Sequence, residues 1–149
     1  MANKHSHSNP GSIAECDHTF TYPADISIIR LLRDDVLALS ACKEYQTELI
    51  DALLIIITEL MTNAIKHGSV DIPNGKVSLG IHFENPKITC IIEDNGPGFE
   101  RSSIPDPTLP EYIHREHGRG IFITEHLAKE VRYEYEHNTM RILVILEQH

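Results

Sequence analysis

No run in this 149-residue chain approaches the ~18 consecutive apolar residues that a membrane-spanning helix requires. The N-terminus, MANKHSHSNPGS, lacks the apolar core of a secretory leader, so a cytoplasmic protein is expected. Basic charge is also scarce. Lys and Arg number 13 against 22 Asp and Glu, a formal net charge of -9, where a nucleic-acid-binding surface would leave a basic footprint. Direct contact with nucleic acid is therefore not expected. Three cysteines, Cys16, Cys42 and Cys90, stand without metal-type spacing, and their odd number points to reduced, mostly buried thiols and no disulfide. There is no GxxxxGK[ST] and no strand-glycine-helix βαβ unit, which excludes a P-loop and a Rossmann domain.

What is present fits one domain with a single core. Residues 1–15, polar and rich in Ser, Asn and His, read as a disordered tail before a domain spanning 16–149. DHTFTYP alternates Phe20 and Tyr22 with polar residues, as a short strand stopped by Pro23 would. A helix is expected from Asp25, with Ile28, Leu31, Leu32, Asp35 and Leu39 at helical spacing. A second should span roughly 44–67 and stop at Gly68. KVSLGIHFE places Val77, Leu79, Ile81 and Phe83 at period two, and KITCIIED returns after a turn at Asn85-Pro86. Residues 95–117 have no period and contain four prolines, a loop of a length that usually has a job. A helix over about 120–130 follows, then VRYEYE, a turn at His137-Asn138, and TMRILVILE. This order predicts a two-layer α/β sandwich, with a mixed, mostly antiparallel sheet and helices on one face.

Three polar clusters interrupt the pattern. In ELMTNAIKHG, at the end of the most apolar run, Glu59, Asn63 and His67 recur every four residues and so share one helix face. Such a stripe must meet water, a polar network or a ligand. In EDNGPGF, Asp94 leaves a strand as the loop begins, and Gly96 and Gly98 remove side chains where a flat ligand could approach the backbone. In HGRGIFI, Gly118 and Gly120 open a helix whose free N–H groups and dipole suit phosphate, with Arg119 able to add a forked contact. Taken singly, each reads equally well as a turn, a loop or a polar helix face. Their combination and order carry the information.

The three clusters resemble the N-box and the two glycine boxes of the GHKL (Bergerat-fold) ATPases: histidine kinases, gyrase-type proteins, Hsp90 and MutL-type proteins. ELMTNAIKHG is similar to the ELxxNAxxH pattern of RsbW-type anti-sigma factor serine kinases, and the likeness covers about residues 18–147. The resemblance implies ATP and Mg²⁺ as cofactors. It implies that Asp94 accepts the adenine amino group, that Asn63 is the side-chain ligand to Mg²⁺, and that Glu59 activates the attacking hydroxyl. It further implies that Gly96, Gly98, Gly118 and Gly120 shape the pocket, that Arg119 faces the phosphates, and that residues 99–117 are the lid. Where the family often has Gly-Thr in the last hairpin, this chain has Asn138-Thr139, and Thr139 could still offer a hydroxyl near the adenine. For His67 a capping or packing role is expected.

The function so implied is an ATP-dependent serine/threonine kinase and anti-sigma factor, with a STAS-domain anti-anti-sigma protein and a sigma factor as partners. A homodimer is expected, with the first helix and first strand in its interface. Three alternatives remain: an ATP-binding adaptor without kinase activity, an RsbT-type switch kinase that activates a phosphatase, and a histidine-kinase fragment. Glu59 counts against the first, and the missing phosphoacceptor helix counts against the last.

Overall fold

The computed structural model of the chain describes residues 9–69, 72–112 and 118–149. Five strands carry the frame: β1 (His18–Pro23), β2 (Lys76–Glu84), β3 (Lys87–Asp94), β4 (Glu130–Glu136) and β5 (Thr139–Glu147). Their order across the sheet is β1-β2-β3-β5-β4, and all four pairings are antiparallel. The sheet is thus the fully antiparallel form of the mixed, mostly antiparallel one expected. Period-two patterning explains the packing of its faces. Val77, Leu79 and Ile81 of β2, Ile88 and Ile92 of β3, and Val144 of β5 are all buried on the helix side. The β4–β5 hairpin closes on His137 and Asn138, both at positive φ (52° and 59°), the backbone that two-residue hairpin turns favour.

Three helices lie on the sheet's inner face: α1 (Ile28–Leu37), α2 (Thr47–Asn63) and α3 (Arg119–Leu127). Asp25 builds the turn before α1, its carboxylate accepting the Ser27 N–H at 2.9 Å. Ile28, Leu32 and Val36 then face the core, whereas Leu31 points outward, 53% exposed. Tyr22 of β1 donates to Asp35 of α1 at 2.6 Å, tying the edge strand to the first helix. α2 is the spine of the core. Leu53, Ile56, Ile57, Leu60 and Met61 are fully buried, each worth roughly 1.5–3 kcal/mol of transfer free energy.

α2 is shorter than the expected 44–67. Ser40–Glu44 form a separate 3-10 turn, and Gln46 is extended, donating its N–H to Gln148 near the C-terminus at 3.0 Å. At the other end the helix does not stop at Gly68 but widens into a π turn, Ala64–Ser69. π segments frequently accompany functional sites, and this one brings Gly68 against the end of β3. α3 ends at Leu127 rather than near 130 because Ala128 is extended and the Lys129 N–H already pairs with Ile145.

The outer face of the sheet has its own small apolar cluster, Ile91, Leu143 and Ile145, with Ile13 and Cys16 packed on it. Ile13–Glu15 form a 3-10 turn here, which sets Ile13, inside the expected tail, against the sheet. Residues 1–8, including His5 and His7, lie outside the described residues. Cys42 and Cys90 are buried, Cys16 is half-buried, and none forms a disulfide. Among the described residues no helix is long and apolar enough to cross a membrane.

Candidate functional site

A cavity of about 200 Å³ opens between the end of α2 with its π turn, the ends of β3 and β5, the loop after β3, and α3. Its walls are mostly apolar, with Leu60, Ile92, Ile121, Met140 and Ile142 among them. Asp94, Asn63 and His67 supply the polar groups. An apolar slot with a few convergent polar groups is the usual form of a small-molecule site.

Asp94 sits on the last residue of β3, on the same side as Ile92, so the strand aims its carboxylate inward. Burial pushes that carboxyl above the usual range, and a hydrogen bond from the Gly96 N–H at 2.8 Å opposes the rise. One N–H leaves most of the carboxylate's acceptor capacity unused, in surroundings where an unmet acceptor is costly. A further hydrogen-bond donor entering the cavity could be accepted here.

Two glycines make this placement possible. A Cβ on Gly68 would stand 2.5 Å from Asp94 Oδ1, and one on Gly96 would stand 2.4 Å from the Gly68 carbonyl. Gly96 was expected to clear space for a ligand. Instead it is buried against the π turn, holding Asp94 from below. Gly98 does line the cavity, at φ 70°, with a Cβ position only 2.5 Å from the Tyr135 ring.

Glu59 and Asn63 lie half-buried on the same face of α2. They meet the first turn of α3: the Cβ position of Gly120 is 2.9 Å from Glu59 Oε2 and 3.0 Å from Asn63 Nδ2. A Cβ at Gly120 would require the Glu59 and Asn63 side-chain ends to shift. Gly118 precedes the helix at φ 96°, a backbone region that favours glycine, and its carbonyl accepts the Phe122 N–H. Glu59 and Asn63 thus meet the first turn of α3 beside the part of the cavity wall that Asn63 and Ile121 form. Arg119 is exposed as the first residue of α3. Among the described residues no three His, Cys, Asp or Glu could hold a metal together. Asn63 would suit a cation that arrives with phosphate oxygens and keeps its waters, as Mg²⁺ does.

Of the residues the sequence singled out, the structure brings Asn63, Asp94 and Gly98 to the cavity wall, sets Glu59 and Gly120 against Asn63, and sets Gly118 against Ile104. His67, in the π turn, lines the opening. Thr139 is not brought in. Met140 lines the cavity, and its neighbour Thr139 alternates to the opposite face of β5. Strand alternation with Ile142 and Val144 was the signal that could have found Met140. Gly68 was read only as a helix stop, and Phe99 and Ile104 were hidden in the aperiodic loop; both line the cavity, and Ile104 is only 6% exposed. The last five residues of the expected lid, 113–117, lie outside the described residues.

Residues 22–145 match the histidine kinase-like ATPase domain family. Among curated relatives, the chain is 28% identical over 102 residues to serine-protein kinase RsbW of Oceanobacillus iheyensis, covering 64% of this chain and 65% of that protein. It is 31% identical over 109 residues to the anti-sigma F factor of Geobacillus stearothermophilus, covering 71% and 74% respectively. It therefore spans just under two thirds of the first relative and more of the second. Among solved structures, the RsbU and RsbW domains from Mycobacterium tuberculosis align with 87% of this chain and 31% of that one, at TM-score 0.60 and 17% identity. A blue-light activated histidine kinase from Erythrobacter litoralis aligns with 69% of this chain and 31% of its own, at TM-score 0.52 and 18% identity. Both share the fold. With its matched domain covering most of the chain, this protein belongs to the histidine kinase-like ATPase domain family, alongside RsbW and anti-sigma F factor proteins.

Proposed function

We propose that the protein is an ATP-dependent serine/threonine kinase that also acts as an anti-sigma factor, phosphorylating a STAS-domain anti-anti-sigma protein. The observation that supports this reading is an apolar cavity lined by the half-buried Asp94 carboxylate and by Asn63, with Glu59 and the first turn of α3 packed against Asn63. Relatives named serine-protein kinase and anti-sigma F factor support it.

In this reading Asp94 accepts the adenine amino group, and the apolar walls hold the ring. The N–H groups that open α3 bind phosphate oxygens, with Arg119 beside them. Asn63 would hold a Mg²⁺, which would neutralise charge on the phosphates when bound. Glu59 orients the partner's hydroxyl and takes its proton as the oxygen attacks. Phosphoryl transfer needs little covalent help from the protein, so placement of these groups carries most of the rate.

A homodimer belongs to the same proposal. β1 is an edge strand, and Ile26, Leu31 and Leu37 in and beside α1 are each about half exposed. An open strand edge next to apolar helix residues suits pairing with a second copy. The function is tested by incubating the protein with labelled ATP and candidate STAS proteins. Transfer of label to a serine or threonine is expected. Nucleotide binding without transfer to any partner would favour an ATP-binding adaptor.

A further inference from the structure

The first part of the loop after β3 is fastened to the C-terminal half of α3. Arg101 donates through Nε to Glu125 Oε1, and its Nη2 lies 3.5 Å from Glu125 Oε2. Its Nη1 donates to the carbonyl of Ile104 at 3.2 Å, bracing the loop on itself. Tyr133 of β4 donates its hydroxyl to the same Glu125 Oε1 at 2.9 Å. One carboxylate on α3 thus gathers the loop and β4. Phe99 packs edge-on against the Tyr133 ring, with centroids 5.9 Å apart. Phe99 and Ile104, at the two ends of this fastened stretch, both line the cavity.

Glu125 has no part in the chemistry proposed above. It lies toward the C-terminal end of α3, whereas Gly120 at the start of the helix meets Glu59 and Asn63. Burial alone would raise its carboxyl, but the Arg101 and Tyr133 donors bring it below the usual range. A solitary surface ion pair contributes little, but a carboxylate that accepts from two elements restricts both. We propose that Glu125 is a positioning residue that clamps residues 99–104 through Arg101 and Tyr133, so that Phe99 and Ile104 form a cavity wall before any nucleotide arrives. This rests on reading the cavity as a nucleotide site. The clamp makes one side of the pocket preorganised, which slows nucleotide release by reducing the ordering needed to hold it.

The test combines hydrogen exchange of the nucleotide-free full chain with ADP release rates, for the wild type, Glu125→Ala and the reversed pair Arg101→Glu/Glu125→Arg. Glu125→Ala should speed exchange in residues 99–104 by about fivefold, leave β2 and β3 unchanged, and speed ADP release by a similar factor. The reversed pair should move both values back toward wild type. Wild-type exchange in residues 99–104 of Glu125→Ala would overturn the clamp. Faster exchange with unchanged ADP release would overturn its role in the pocket. If wild-type protein binds no ADP, the nucleotide reading fails, while the exchange measurement still decides the clamp.

Discussion

Gly96 rests on the backbone of Gly68 so closely that a Cβ on Gly96 would stand 2.4 Å from the Gly68 carbonyl carbon and oxygen. The contact joins the π turn after α2 to the loop after β3 and sets the floor beneath Asp94. Gly96→Ala must push backbone apart, not merely a side chain. Overpacking of this kind typically costs 1–3 kcal/mol. Chemical denaturation should show that loss, and ADP affinity should fall with it because Asp94 is displaced. Unchanged stability would mean that the two segments separate freely.

Asp94 makes a second prediction, on pH. Its carboxyl is raised above the ordinary 3.8 by burial. For a carboxyl raised in the folded state, the stabilising contribution is complete below the unfolded value and is lost as pH rises through the folded one. At neutral pH the nucleotide-free protein therefore carries a charged, under-solvated group. Asp94→Asn should raise the melting temperature of the nucleotide-free protein at pH 7, at about 2–4 °C per kcal/mol recovered. The gain should shrink as pH falls toward 3.8. ADP affinity of the wild type should weaken over the same descent, as protonation removes the acceptor. A mutant less stable than wild type at pH 7 would contradict the placement.

Much of this architecture was legible from period and punctuation. Val77, Leu79 and Ile81 reported a half-buried strand, and His137-Asn138 reported a tight hairpin, because alternation and turn residues are local properties. The Glu59 and Asn63 stripe was legible for the same reason: four-residue spacing on an apolar helix stands out. The π turn was not: within it Gly68 packs on Asp94 and Gly96, 26 and 28 residues away along the chain, and such contacts leave no local signal. Ile104 was equally hidden. It is an isolated apolar residue in a Pro-rich loop, and its burial depends on tertiary contacts that the local sequence does not show.

Asn63→Ala should weaken Mg²⁺-nucleotide binding far more than binding of nucleotide without metal. Asn63 lies one turn from Glu59 on the same face of α2 and is assigned the cation, so its loss should matter only when the cation is present. Titrations with and without Mg²⁺ check this. Equal losses in both would indicate a packing defect against Gly120.

Glu59→Gln should retain ATP affinity but lose transfer of phosphate to the partner. The amide keeps the size of the side chain and its fit against Gly120, while removing the proton acceptor. General-base contributions are typically ~10²–10⁴-fold in rate. Transfer of labelled phosphate under saturating Mg²⁺-ATP is the measurement, and a wild-type rate would remove Glu59 from the reaction.

The central claim is that this cavity binds an adenine nucleotide through Asp94. Calorimetric titration of the wild type and Asp94→Asn with ADP and GDP tests it most directly. A guanine presents a carbonyl oxygen where adenine presents its amino group, so the wild type should bind ADP and reject GDP. Asp94→Asn should lose at least about 1.5–3 kcal/mol of ADP binding, the worth of a hydrogen bond to a charged acceptor. Wild-type ADP affinity in the mutant, or equal binding of ADP and GDP by the wild type, would contradict the account.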